Sequence, residues 1–513
     1  MRTLVSKKNI RAAAVFFIAA DYMIFGLYGY TGTHTSTEIK ETVSPLSFFP
    51  VPENSWVGDP VPFYNKHTGS FYIYYLDDLR DGAQGFHPWA LFTTKDFLHF
   101  SDKGVVIPYT DAPRADDLAL GTGSIIRDSE GRYHAFYTGH NPSRIPREAI
   151  MQAVSSDGIK WEKLPKYTFR GNSATLSGVP YGDYDFRDPF VLQEKDNGTY
   201  WMLITTAVDG KGVIARFMSD DLYHWHDCGV FFKNDMGNGD NLECPSLIHF
   251  GRYWYLAFSD QGTGRMVHYR IAEEPDGPFR KPETDELDGS GFYAGRLESD
   301  GTHLYVFGWN ATKKDFDDMQ DYAWGGSLVV HQLKQAPDGT LFSVPPFSSD
   351  TVLTNKRELH PVTTGKTVSA VKNGYTFGGD GYDDILYENI PETPCIITVS
   401  FRETGNISPE KFGFCFGSDY TKLYLTCDPA NRRIEFFNGK NHMEQSLPES
   451  YIDCRSPGDG VWKCTLLIDN SVAVLYVNGQ SALTARIHTM SGNPWSIFSC
   501  NGEIAVTGVS IQQ

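Results

Sequence analysis

The sequence is short of several things, and each shortage narrows the reading. It has no cysteine before Cys228 and no C-x-x-C pair. The missing spacing removes the usual thiolate zinc motif. Its eight cysteines are Cys228, Cys244, Cys395, Cys415, Cys427, Cys454, Cys464 and Cys500. Six follow residue 390, where both disulfides and buried free thiols fit the pattern. Basic residues are scarce: 45 Lys and Arg face 63 Asp and Glu, for a net charge of −18. A surface of that sign repels phosphate, which argues against a nucleic-acid partner. Long helical patterns are rare, and beyond residue 30 no apolar run is long enough to cross a bilayer.

What is present points to a β protein of more than one domain. The chain has 513 residues and is 41% hydrophobic, enough for a sizeable core. Its 28 Tyr and 34 Phe accompany 49 Gly and 28 Pro, the composition of strands joined by tight turns. Aromatic rings on an acidic surface suit sugars, whose C–H faces stack on them. The N-terminus carries Arg2, Lys7, Lys8 and Arg11 with no acid before Asp21, then a mostly apolar stretch from Ala12 to Tyr30. Residues 1–40 are therefore expected to be a secretory signal or an uncleaved anchor, which places the protein outside the cytoplasm. Such an anchor would be its one link to a membrane. Asp21 interrupts the run and no clean A-x-A site follows, so a buried or frayed extension is the alternative.

An aromatic strand recurs five times, beginning at Phe71, Tyr133, Tyr200, Tyr253 and His303. Anchored at Tyr72, Tyr133, Tyr200, Tyr253 and Leu304, the copies are 61, 67, 53 and 51 residues apart. A glycine precedes each copy, as between the first two strands of a β unit. Asp96 with Phe100, Asp157 with Trp161 and Asp221 with Trp225 add a second signal, a turn followed by a strand with an inward ring. The near-regular period predicts a five-bladed β-propeller over residues 45–350, with a plain sandwich as the alternative. Residues 351–363 read as a linker. From 364 to 513 the period stops but alternating strands continue, with a hairpin turn at Asn478-Gly479, which predicts a separate β-sandwich.

Three acids lie in phase with the repeat. Asp59, Asp188 and Glu243 precede their anchors by 13, 12 and 10 residues. The matching stretches of the other two units hold Thr122 with Ser124, and Tyr293. In a propeller these residues sit on the innermost strands and converge at the axis. A proline follows or lies near each acid, in Asp59-Pro60, Asp188-Pro189 and Cys244-Pro245, and kinks the strand there. Converging carboxylates can bind a hard cation, cap turns, or act as acid–base and nucleophile on a glycosidic bond. Close carboxylates push one another's pKa values apart, and Arg187 is expected to keep Asp188 ionised.

At these motifs the chain resembles glycoside hydrolase family 32, the β-fructofuranosidases. The resemblance covers roughly residues 50–345 and continues more weakly to the end. Trp56-Val57-Gly58-Asp59-Pro60 is similar to the W-M-N-D-P motif, Arg187-Asp188-Pro189 to R-D-P, and Glu243-Cys244 to E-C. Gly123-Ser124, Phe136-Tyr137-Thr138-Gly139, Phe292-Tyr293-Ala294 and Trp324-Gly325-Gly326 match as well. The resemblance implies the same all-β fold, a five-bladed β-propeller followed by a C-terminal β-sandwich. It implies Asp59 as nucleophile, Glu243 as acid and base, and Asp188 as stabiliser of the transition state, with retention and no metal or organic cofactor. Trp56, Trp89, Trp309 and Trp324 are candidate sugar platforms, each also a candidate core residue. With Thr122, Ser124, Arg187 and Tyr293 they make up the expected substrate-binding set. An acidic pH optimum, about 5–6, is expected of the carboxylates.

The departures fall on glycone contacts. Gly58 stands where the family has Asn, Val61-Pro62 where it has Asn-Gly, Leu76 where it has Gln, and Gly121-Thr122 where it has Phe-Ser. Altered contacts of this kind shift specificity. A β-fructan or sucrose-like substrate is expected. An inverting arabinofuranosidase or xylosidase on the same propeller and a non-catalytic sugar-binding protein are the alternatives.

Overall fold

The computed structural model describes residues 42–43, 45–79, 87–171, 181–194, 198–262, 264–353, 355–390, 394–405, 407–417, 422–438, 447–490 and 492–513. Residues 1–40, read above as a targeting segment, lie outside them. No described helix is long and apolar enough to cross a membrane.

The five aromatic repeats are the second strands of five blades. Blade 1 runs from Trp56–Asn65 outward through Ser70–Asp78 and Trp89–Thr94 to Phe100–Ile107. Blade 2 begins at Ala119–Arg127, blade 3 at Tyr181–Gln193, blade 4 at Leu242–Phe250 and blade 5 at Tyr293–Ser299. Blade 4 has three regular strands, and single bridges at Arg280 and Glu286 extend its edge. The Asp turns behave as expected. The Asp96, Asp157 and Asp221 carboxylates each accept two backbone N–H groups of the turn, which starts the fourth strand. The ring closes where Gly326 of blade 5 pairs with Val57 of blade 1.

Each inner strand bulges at the same height. The register slips between Gly58 and Val61, Leu120 and Gly123, Arg187 and Phe190, Glu243 and Ser246, and Tyr293 and Arg296. A bulge leaves one residue unpaired and re-aims its side chain. Asp59, Asp188, Cys244 and Ala294 take positive φ there, a conformation that L-residues hold only under constraint. Proline follows in three blades, where the bulge needs no ladder donor.

The sandwich packs an eight-stranded sheet on a seven-stranded one. Its Asn478-Gly479 turn has positive φ at both residues, which the hairpin twist requires. The expected linker is only partly a linker. Lys356–Glu358 pairs with the last strand, Ile504–Gln512, and belongs to the sandwich. Lys356–Glu358 is fully exposed and polar, so it carries no apolar alternation to announce it. All eight cysteines are free thiols, seven of them buried.

The two domains share one apolar core. Ile396, Leu467, Val474 and Tyr476 of the sandwich pack with Leu297, Val306 and Val329 of blade 5. Buried acids tie them further. Asp288 accepts from the Thr484 N–H at 2.8 Å and bonds His331 at 2.9 Å, and His331 in turn bonds the Tyr476 hydroxyl at 2.8 Å. Asp469 accepts from the Ser47 hydroxyl at 2.6 Å and the Phe48 N–H at 2.9 Å.

Candidate active site

The bulges bring the three acids together at one end of the propeller axis, and the blades hold them by backbone ties. Thr122 donates to the Asp59 carbonyl at 3.2 Å. Thr138 donates to the Thr122 carbonyl at 3.2 Å and accepts the Asp188 N–H at 2.9 Å. Two hydroxyls thus link the backbones of Asp59 and Asp188 through blade 2. The Asp188 carboxylate accepts the Cys244 N–H at 3.0 Å, which sets the height of neighbouring Glu243.

Each carboxylate has a different set of donors. Asp59 accepts the Trp309 indole N–H at 3.0 Å. Glu243 accepts from Arg187 at 2.9 Å on one oxygen and from the Tyr293 hydroxyl on the other. Burial, then the charge of Glu243, pushes Asp59 up to about 6, against the pull of Trp309, Arg296 and His87. Burial also raises Asp188, opposed by Arg187 and Arg296 and aided by Glu243. The expectation that Arg187 keeps Asp188 ionised is therefore corrected. Arg187 binds Glu243, Asp185 and Glu148, while its distance to Asp188 is 4.0 Å. The bulge at Asp188 leaves the pair at that longer distance, while the guanidinium's hydrogen bonds go to other carboxylates. Burial, with the nearby acids, keeps the Cys244 thiol protonated, so it is no nucleophile.

The expected sugar contacts divide into two groups. Trp324, 37% exposed, stacks on His87 at 4.2 Å and 19° and lies 5.5 Å from Trp309. Trp56 is half-buried and meets the exposed Phe316 at 5.9 Å. Both rings are thus partly exposed. Trp89 is not: it is 0% exposed, donates to the Gly121 carbonyl and packs on Tyr74 and Tyr137 between blades 1 and 2. Trp309 is buried and offers its N–H to Asp59 rather than a face to a sugar. Ser124 is buried and accepts the Val191 N–H, a tie between blades 2 and 3. Thr122, Arg187 and Tyr293 touch the acids themselves.

Three residues escaped the sequence reading. Buried Arg296 donates to the carbonyls of Pro245 and Asp188 and sits near both aspartates. Its signal was a cationic residue among the buried positions of an inner strand. Glu148 accepts the Phe186 N–H at 2.8 Å and pairs with Arg187. Burial works against its ionised form, but Arg187 and His140 outweigh it. Asp185 shares Arg187. Among the described residues, His268, Asp285 and Glu286 have metal-ligand spacing, but Arg270 and Lys281 already neutralise Asp285.

The model for the glycosyl hydrolases family 32 N-terminal domain matches residues 50–345. The chain belongs to glycoside hydrolase family 32. A second model, described as GH32, BT1760-like, C-terminal domain, matches residues 350–511. Raffinose invertase of Escherichia coli is 24% identical over 90% of this chain and 93% of its own length. The levanbiose-producing levanase of Bacillus subtilis is 28% identical over 54% of this chain and 50% of its own. Among solved structures, the Bombyx mori GH32 beta-fructofuranosidase superposes with a TM-score of 0.66 at 19% identity, covering 92% of this chain and 94% of that one. The exo-inulinase of Aspergillus awamori gives 0.68 at 16%, covering 91% and 98%. The protein is a glycosidase of the β-fructofuranosidase type.

Within this family the departure at Gly58 has a steric cause. Gly58 does not take positive φ, so its backbone would accept another residue. Its space would not. A β-carbon there would lie 2.6 and 2.7 Å from Cζ2 and Cζ3 of Trp324 and closer still to Cη2. The indole occupies the room that a side chain would need. Leu76, opposite Gly58 in the ladder, is buried beside Trp89, so that wall is apolar too. Gly58→Ala is expected to cost about 1–3 kcal/mol by overpacking a rigid ring. The cost should vanish in a Trp324→Ala background. Unfolding free energies of the four proteins of this cycle check it, and additive effects would show that the ring is not the obstacle.

Proposed function

We propose that Asp59 is the nucleophile, Glu243 the acid and then base, and Asp188 the transition-state stabiliser of a retaining β-fructofuranosyl hydrolysis. The observation that carries this is the asymmetry of donors. Asp59 holds one neutral indole N–H and keeps an oxygen for attack, whereas both Glu243 oxygens are held by groups that fix its direction.

In the first step an Asp59 oxygen attacks the anomeric carbon while Glu243 gives its proton to the departing glycosidic oxygen. A fructosyl–enzyme ester forms and the aglycone leaves. In the second step Glu243 takes a proton from water, which attacks the same carbon and frees Asp59. Positive charge develops on the ring in the transition state of each step, and Asp188 stabilises it through hydrogen bonds with the sugar hydroxyls. Asp59 must be ionised and Glu243 protonated at the start. The Trp309 N–H favours the arrangement with the charge on Asp59. Trp324, lying beside the nucleophile strand, provides an apolar face for the sugar's C–H groups, and Trp56 extends it.

The test is product release from sucrose, kestose, inulin, levan and p-nitrophenyl arabinofuranoside, with the first-formed anomer read by NMR. Fructose released with retained configuration is the expected result. Asp59→Asn should abolish it, and Glu243→Gln should slow it on the order of 10²–10⁴-fold. Arabinose release alone, or an inverted first product, would overturn the proposal.

A pH profile tests the Asp59 assignment separately. Its carboxyl sits at about 6, and only the ionised form attacks. The acid limb of kcat/KM is therefore expected near pH 6, with activity falling about tenfold per unit below it. An acid limb near pH 4 would contradict the assignment.

We propose further that residues 1–40 direct export, supported by the cationic start at Arg2, Lys7, Lys8 and Arg11 and the apolar stretch that follows. Fractionation of cells expressing the full chain should place activity outside the cytoplasm. Deletion of residues 1–40 should leave the activity inside the cytoplasm, and an unchanged distribution would refute the role.

A further inference from the structure

We propose that Arg486, a residue of the C-terminal sandwich, is a positioning residue for the reaction at Asp59. The proposal rests on Asp59 being the nucleophile.

Arg486 ends the strand Ser481–Arg486 and is only 2% exposed. Its guanidinium reaches across the domain boundary into blade 5. Nε donates to the Ala311 carbonyl at 3.0 Å, and Nη2 donates to the Asn310 carbonyl at 2.6 Å and the Ser327 hydroxyl at 3.0 Å. Nη1 is anchored on its own domain by the Ser471 hydroxyl at 2.8 Å. Asn310 and Ala311 directly follow Trp309, the residue whose N–H meets the Asp59 carboxylate.

The topology explains why blade 5 needs this support. The strand Leu304–Lys313 is flanked by Tyr293–Ser299 on one side and Tyr322–Gln335 on the other. Its inner neighbour starts at Tyr293, which pairs with Trp309. Past that point Asn310 and Ala311 have no strand on the inner side. The Arg486 guanidinium binds the carbonyls of both residues there. It also holds Ser327, three residues after Trp324, on the outer neighbour. One planar group from the sandwich thus fixes the segments that carry Trp309 and Trp324. A lysine ammonium cannot reproduce the fork. Without it, two buried carbonyls lose their donor and Trp309 loses its fixed height. A shift of about 1 Å in such a group can cost on the order of 100-fold in rate.

The experiment compares Arg486→Met, Arg486→Lys, Trp309→Phe and the Arg486→Met/Trp309→Phe double variant in the full chain. Three readouts are taken: Tm, the acid limb of kcat/KM, and the pH titration of tryptophan fluorescence with Asp59→Asn as the blank. Loss of the indole donor raises the Asp59 titration, so Arg486→Met and Trp309→Phe should both move the limb upward by about 0.5–1 unit. The double variant should move it no further, and Arg486→Lys should restore it at most in part. A lowered Tm with an unmoved limb would overturn the proposal, as would additive shifts in the double variant. Should Arg486→Met not fold, Ser471→Ala removes the anchor and keeps the arginine. A smaller upward shift is then expected, and none would count against the idea. If the unsubstituted enzyme turns over no fructoside, the functional reading fails on its own. The fluorescence titration still tests the positioning, because it needs no substrate.

Discussion

The site depends on one backbone constraint, the bulge that every inner strand makes at the same height. A regular strand would send Asp59 and Asp188 alternately to the two faces of their blades. The bulge turns them toward the axis instead, with positive φ that costs on the order of 1 kcal/mol or more at each position. Such strain persists only where the surroundings enforce it. Here they are the Thr122 and Thr138 relay, the proline after each bulged acid, and the closure of the ring at Gly326 and Val57.

The charge balance follows from that geometry. Three carboxylates in a buried funnel repel one another and lose hydration. Arg187 and Arg296 offset the repulsion, and they come from blades 3 and 5, one on either side of Glu243 in blade 4. The residual imbalance falls on the two aspartates. Asp59 is pushed up to about 6, so a modest change of surroundings tips it between acid and anion.

Much of this was legible in the sequence because it repeats. Five aromatic strands at similar spacing announced the blades, and phase alone placed Asp59, Asp188 and Glu243 on the inner strands. Phase could not separate residues that face a ligand from those that hold the acids. Trp309, Tyr293 and Thr122 share the height of the site, yet their polar atoms are spent on Asp59 and Glu243. Trp89 begins a third strand, and its ring turns between blades. Arg187 paired with Glu243, across blades, because contact between blades is set by twist and bulge rather than by sequence neighbours. Arg296 and Arg486 were missed because a buried arginine is recognisable only once its acceptors are placed. The polar strand Lys356–Glu358 had no apolar pattern to find.

Asp469 reaches Phe48 across 421 residues of chain, and Asp288 reaches Thr484 across 196. Contacts so distant in sequence form late and slowly. On the ribosome, the segment before the first blade waits for a partner made after all five blades. The propeller is therefore translated long before its edge is secured, and during that interval the funnel is an assembly of blades without its brace. The contacts of Asp469 with Phe48 and of Asp288 with Thr484 can form only once the sandwich strands that carry Asp469 and Thr484 have been made.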